Sequence, residues 1–403
     1  QRHGLDGLLD VIEQLQGVPM AASVLEAEVL AARVHQYSPA MLDTLLAAGE
    51  VTWVGVEPLG ERDGRVALYL TDHVSTLLAP DALAGKRTEG LTGRDAQLVA
   101  HLQRHGASFF GPLHDATGGG FPQETVEAIW DLVWRGLLTN DTLHALRAYA
   151  APPERTRRPQ RNGTFRSRRL MPPSAEGRWT VVAAAAASAT AWATAMAHQL
   201  LARHGVVTRD VTAIEQLPGG FSALYPVLRR LEETGRIRRG YFVAGLGAAQ
   251  FAQPGAIDLL RDAREQRDET STVTISATDP ANPFGVLVPW PISVAEDTRG
   301  ATRSAGARVV IVNGRLAAWI GRGDRQLIVA LPDDEPERSQ IGRALALELR
   351  AIAQRAPDGR RGWLIETIDG EPAAQHPSSR FLIEAGFAAT AMGLQLRPMK
   401  HSQ

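Results

Sequence analysis

Arginine supplies most of the usable chemistry in this sequence. Arg229 and Arg230 stand together near the end of a helical pattern, and Arg236, Arg238 and Arg239 follow close behind. A guanidinium is planar, permanently charged and forked, so it fits phosphate oxygens and guanine edges. Residues 154–169 add seven more arginines, Arg155, Arg157 and Arg158 among them, against one acid, Glu154. Both clusters read as DNA-contacting residues; solvated surface charge is the other reading, and it stays open. Three further sets have informative spacing. His101 and His105 lie one helical turn apart, as zinc ligands do, but Leu102 stands where the metalloprotease motif needs a glutamate. Helix-surface histidines are the simpler reading. Trp130 and Trp134 share that spacing and could stack on bases; packing of a helix core competes. Glu366, Asp369 and Glu371 surround Gly370, where a metal site competes with a plain Asp-Gly turn. The loop Ala277-Thr278-Asp279-Pro280-Ala281-Asn282-Pro283 is the most conspicuous one. Asp279 and Asn282 there are either chemically active or Asx-turn caps between prolines.

Composition limits what these residues can be part of. The 403 residues carry 43 Lys and Arg against 44 Asp and Glu, so affinity for a polyanion has to come from local patches. The absence of cysteine excludes disulfides, thiolate zinc sites and thiol catalysis. No apolar run reaches the length of a spanning helix, so no membrane partner is expected. The chain opens without a methionine, which reads as a piece of a longer protein.

The elements that must position the arginines follow a repeated pattern. Leu224, Val227, Leu228 and Leu231 share one helix face, and Gly235 closes that helix. Two short strands are predicted after it, over 236–243 and 249–252. Helix, turn and hairpin form the second half of a winged helix, whose helix enters a groove while its hairpin lies along the backbone. Arg203-His204-Gly205, then Gly219-Gly220-Phe221, repeats an earlier series: Arg104-His105-Gly106, then Gly119-Gly120-Phe121. Gly136 and Gly49 close the corresponding helices. The expected fold class is α+β, as separate tandem winged-helix modules followed by a β-barrel-like module with attached helices. The expected boundaries are winged helices over 1–75, 92–150 and 179–266, an Arg/Pro-rich linker over 151–178, and the β-barrel-like module over 267–403. Asn313-Gly314 marks a hairpin within the last of these.

Several stretches together carry a family resemblance. They include GLLDVIEQLQG (7–17), YSPAMLDTLLAAGEV (37–51), WDLVWRGLLTNDTL (130–143), GGFSALYPVLRRLEETGRIRRGYFVAGLGAAQF (219–251), ATDPANPFG (277–285) and VPWP (288–291). The chain resembles the C-terminal region of the bacterial large helicase-related protein family. That resemblance implies an ATP-dependent 3′-to-5′ DNA helicase acting in DNA repair, with a tail that binds DNA and assembles a homo-oligomer, a tetramer. It implies a cytoplasmic protein on the bacterial nucleoid. ATP and Mg would belong to an N-terminal motor. This segment has neither GxxxxGK[ST] nor a DExH box, so no cofactor and no metal are expected in it. The chain is also similar to winged-helix DNA glycosylases of the alkyl-adduct class, which implies a base-excision alternative. Their Gln-apolar-Gln motif is approached here by Gln250-Phe251-Ala252-Gln253, one residue longer. A glycosylase needs a carboxylate or a polarised water at the sugar as the flipped base leaves, and Asp279 would be that catalytic residue.

Overall fold

Apolar residues at helical spacing build α1, Gly4–Leu15, which buries Leu8, Val11, Ile12 and Leu15. The computed structural model describes residues 1–80, 87–151, 172–183, 187–247, 249–263, 270–291, 300–355 and 363–396. Two units are present, Gln1–Asp258 and Leu259–Gln403.

In the first unit α1 is followed by β1 (Met20–Ala21) and a broken helix, α2, that runs through Ala22–Val24, a π-helical Leu25–Leu30 and Ala31–Arg33. Then come α3 (Pro39–Ala47), β2 (Val51–Leu59), β3 (Asp63–Leu70) and the short α4 (Val74–Leu77). The second set is α5 (Gly93–His105), α6 (Phe110–Ala116), α7 (Pro122–Trp134), β4 (Leu138–Asn140), α8 (His144–Ala150) and β5 (Trp179–Val181). The third is α9 (Ala189–His204), β6 (Val206–Val207), α10 (Arg209–Ile214), α11 (Gly220–Glu233), β7 (Arg238–Gly240) and β8 (Gln250–Ala252), with α12 (Pro254–Asp262) after it. The closing glycines Gly49, Gly136 and Gly235 all have left-handed φ, between 67° and 77°, which stops each helix as expected.

Each set makes a small antiparallel sheet of the same order. The first is β1-β3-β2 and the third β6-β8-β7. In the second, Ser108 bridges Trp179, and β5 pairs with β4 at Leu138↔Val181 and Asn140↔Trp179. This corrects two expectations. Trp179 does not open the third winged helix; its strand completes the second. The arginine-rich stretch is therefore bracketed by the two strands of the second hairpin instead of linking two modules. Residues 152–171 themselves, with Arg155, Arg157 and Arg158, lie outside the described residues.

The modules are also not separate beads. One apolar cluster takes in Leu8, Leu42, Trp53 and Leu68 of the first set together with Leu98, Ile129, Leu132 and Trp179 of the second. Trp53 Nε1 donates to the Asn140 carbonyl at 3.0 Å, and Arg147 on α8 spans to Glu26 (2.6 Å) and Asp43 (2.7 Å). The physical cause is at Gly55 and Gly64 in the first hairpin. A Cβ on Gly55 would collide with the Val133 carbonyl, and one on Gly64 with the Trp134 ring. Only glycine lets β2 and β3 lie against α7 at that distance. The third set docks through α9: Arg203 donates to the Gln16 carbonyl (2.7 Å) and Trp192 Nε1 to that of Leu77 (3.1 Å).

The second unit begins within α12 and continues with β9 (Thr272–Ser276), β10 (Arg308–Val312), β11 (Arg315–Ile320) and β12 (Gln326–Val329). After α13 (Glu337–Arg355) come β13 (Trp363–Ile365), β14 (Thr367–Ile368), β15 (Glu371–Pro372), α14 (Ser379–Glu384), β16 (Ala388–Thr390) and β17 (Gly393–Leu396). Asn313 and Gly314 make the predicted two-residue turn, both at positive φ, with Val312 facing Arg315. The barrel expectation does not hold. The strands form an open sheet, β15-β14-β12-β11-β10-β9, beside a three-stranded β13-β17-β16. One edge ends in strands of two residues, too short to pair back onto β9, and closure needs every edge paired.

Candidate nucleic-acid interface

The three helices in the groove-reading position differ sharply in what they expose. In α3 Leu42, Leu45 and Leu46 are buried and the helix carries no cation. In α7 the wing of the first module covers one side, eight of thirteen residues are buried, and Gln123, Glu124, Glu127 and Asp131 are what remains exposed. An acidic face repels phosphate. In α11 Phe221, Leu224, Leu228 and Leu231 face the core, with Val227 half-buried, so Ser222, Pro226, Arg229, Arg230 and Glu233 face water.

Within that third module the charge is concentrated in the hairpin. Arg229 Nε donates to Glu233 Oε1 (3.0 Å) and Arg230 reaches Glu233 Oε2 (3.4 Å). With Glu232 beside them, α11 carries two arginines and two glutamates. Residues 234–249, in contrast, contain Arg236, Arg238 and Arg239 and no acid. All three are exposed and make no ion pair among the described residues. The Arg239 guanidinium sits 5.9 Å from the centre of the buried Phe251 ring, a cation–π contact that steers it. Tyr241, at the root of the wing, is 82% exposed. One aromatic after Arg-Arg-Gly carries no periodic signal, so spacing in the sequence does not single it out.

Gln250 holds this wing in shape. Its side chain is fully buried. Oε1 accepts from the N–H groups of Phe242 (2.8 Å) and Val243 (2.9 Å), and Nε2 donates to the carbonyls of Val243 (2.9 Å) and Gly247 (3.1 Å). A glutamine so engaged is unavailable to a substrate, which removes it from the Gln-apolar-Gln role. Behind the wing, Glu215 receives Arg203 (2.9 Å) and His204 (2.6 Å), and burial pushes the Arg203 guanidinium down while Glu215 opposes that.

The remaining candidates fall into structural roles or stay chemically distinct. Trp130 and Trp134 are buried and pack with Tyr149, their rings 4.3 and 5.4 Å from it. The rings of His101 and His105 lie 4.6 Å apart on α5. Asp369 Oδ1 accepts from Val329 N (2.8 Å) and Oδ2 meets His376 (3.2 Å), so it ties the turn to the sheet. Among the described residues no group of three or more His, Asp or Glu side chains is gathered to hold a metal, and no helix is long and apolar enough to cross a membrane. Asp279, in the other unit from Gln250, is fully buried. Its Oδ1 accepts from Ala281 N (2.8 Å) in an Asx turn. Asn282 bonds the Ala277 carbonyl (2.8 Å), and Arg303 ties the carbonyls of Asn282 (2.7 Å) and Asp279 (3.1 Å) together. Burial lowers the Arg303 guanidinium, and Asp279 counters the shift.

Among the described residues, fold and surface together define a tandem winged-helix protein whose third module carries a cationic hairpin, with an appended open-sheet α+β unit. Residues 1–71 and 186–272 match two winged-helix domains of the large helicase-related protein, the third and the fourth respectively. The chain is 38% identical to the Lhr helicase/probable uracil glycosylase of Mycolicibacterium smegmatis, across 98% of this chain and 27% of that protein. It is 36% identical to the Lhr helicase/uracil glycosylase of Escherichia coli, across 97% of this chain and 26% of that one. The chain belongs to the large helicase-related family and spans about a quarter of the length of these relatives. Among solved structures, the DNA glycosylase AlkZ of Streptomyces sahachiroi aligns over 87% of this chain and 96% of its own, with a TM-score of 0.47 and 15% identity, too distant to carry chemistry across.

Proposed function

We propose that the chain is the C-terminal DNA-binding and oligomerisation region of an ATP-dependent 3′-to-5′ DNA helicase acting in DNA repair. ATP and Mg act in a motor outside this segment, which needs no cofactor or metal of its own. The observation that carries the DNA-binding part is the acid-free arginine hairpin of the third module, Arg236, Arg238 and Arg239, with Arg229 and Arg230 beside it. The family resemblance supplies the tetramer, and the exposed Phe109 (57%) and Phe121 (75%) offer apolar area for it. The test is fluorescence anisotropy of the chain on short DNA across a salt series, with light scattering in parallel. Log affinity should fall by roughly 0.7 to 0.9 per log salt for each phosphate contacted. Arg238→Glu with Arg239→Glu should abolish most of the binding. Affinity indifferent to salt and to both substitutions sinks the reading, and a monomer at micromolar concentration sinks the assembly part.

A second reading, a base-excision glycosylase, is favoured by one observation: both relatives carry uracil glycosylase in their names and align with nearly all of this chain. On that reading Asp279 acts at the sugar. Alkali-sensitive cleavage of a uracil-containing oligonucleotide, lost in Asp279→Asn, is the outcome it requires. Asparagine can still accept the Ala281 N–H but removes the charge facing the buried Arg303, so the lost activity counts as chemical only if Asp279→Asn melts with the parent chain. No abasic product from the unsubstituted chain removes it.

A further inference from the structure

We propose that the root of the third wing is a binding site for an unpaired nucleotide, with Tyr241 as the stacking surface and Arg236, Arg238 and Arg239 on the flanking phosphates. The inference rests on the DNA-binding reading and adds to it the form of the nucleic acid. Four observations carry it. The first is electrostatic: α11 is charge-neutral, with Glu233 occupying both Arg229 and Arg230, whereas β7 and the wing carry three arginines and no acid. A groove-reading helix whose own glutamates occupy its arginines is poorly suited to duplex edges. Cations on a hairpin can follow a backbone of any form.

The second is the ring itself. Tyr241 is 82% exposed, the highest value among the large apolar side chains of the described residues. An exposed aromatic contributes nothing to the core, but it offers a face on which any base can stack. The third is rigidity. Gln250 fixes the backbone on the far side of Tyr241 by bonding the N–H groups of Phe242 and Val243, and Gly240 lies close against the Phe242 ring. The ring is therefore presented from a braced backbone, which lowers the ordering cost of capture. The fourth is the corresponding helix of each other module: α3 carries no cation and α7 exposes acids, so among the described residues those two helices offer no competing duplex site.

The experiment uses the whole chain and three probes of one sequence: a single-stranded oligodeoxynucleotide carrying 2-aminopurine, its blunt duplex, and the matching oligoribonucleotide. Binding to the single strand should quench 2-aminopurine, the mark of stacking. Tyr241→Ala should abolish the quench and weaken single-strand affinity about 5- to 100-fold, leaving duplex affinity within about twofold. Tyr241→Phe keeps the ring and should restore both. Equal losses in Tyr241→Ala and Tyr241→Phe, or a Tyr241→Ala chain that still quenches, overturn the stacking site while leaving DNA binding standing. Binding to no DNA probe, or no effect of Arg238→Ala with Arg239→Ala, brings down the underlying reading instead. Tighter binding of the oligoribonucleotide than of its DNA counterpart overturns the assignment to DNA.

Discussion

Gln250 shows how one buried amide can decide the use of a whole loop. It satisfies two backbone N–H groups and at least two carbonyls of the wing, and no water reaches it. Replacing it by leucine keeps much of the volume and removes every partner at once. A buried donor or acceptor left unmade costs about 1–3 kcal/mol, but a surface wing can open to water and recover part of that. Gln250→Leu should therefore destabilise the chain by roughly 1–3 kcal/mol in denaturant unfolding. It should also speed amide exchange at Phe242 and Val243 and weaken DNA binding although no contact to DNA has been removed. Unchanged exchange at those two amides would contradict the bracing role. The residue was visible in the sequence as half of an enzyme-like pair, Gln250 and Gln253. Its true partners are backbone groups of its own loop, which leave no trace in side-chain spacing.

At the scale of elements, the wing of the first module and the groove-facing helix of the second have given up independent roles to pack on each other. Gly55 meets the Val133 backbone and Gly64 meets the Trp134 ring, so added volume has nowhere to go. Gly55→Ala should cost about 1–3 kcal/mol or more, because a main-chain carbonyl cannot rotate aside. Circular dichroism melts can check this, with an exposed control such as Thr44→Ala expected to shift little. A Gly55→Ala chain as stable as the parent would mean the two elements are not closely packed. What was legible here was local. The closing glycines and the Asn313-Gly314 turn each encode their conformation within four residues, and the structure shows them as read. The strand at Trp179–Val181 was not legible as part of the second module. Three residues are too few to show a period, and their partner lies across the whole stretch 141–178. The same limit explains the barrel: strand propensities identify β9 to β12, but whether a sheet closes depends on edges far apart in sequence.

Across the first two modules, the shared core turns a tandem pair into something closer to one folding body. Leu68 of the first module and Leu132 of the second are both fully buried in the same apolar cluster, joined through Trp53, Trp130 and Trp179. Two independent winged helices of this size would each bury a modest core and unfold in their own transitions. A continuous core couples them, since neither half can open without exposing the face that the other covers. Leu68→Ala and Leu132→Ala should each cost about 2–5 kcal/mol, and both should lower one and the same transition. Scanning calorimetry with hydrogen exchange followed at α1 and α7 is the check. Exchange at both helices should accelerate together in either variant, although the substitutions sit in different repeats. If Leu68→Ala loosens α1 alone while α7 keeps its protection, the repeats are autonomous. The first two modules would then be free to present the acidic face of α7 independently of the cationic hairpin of the third.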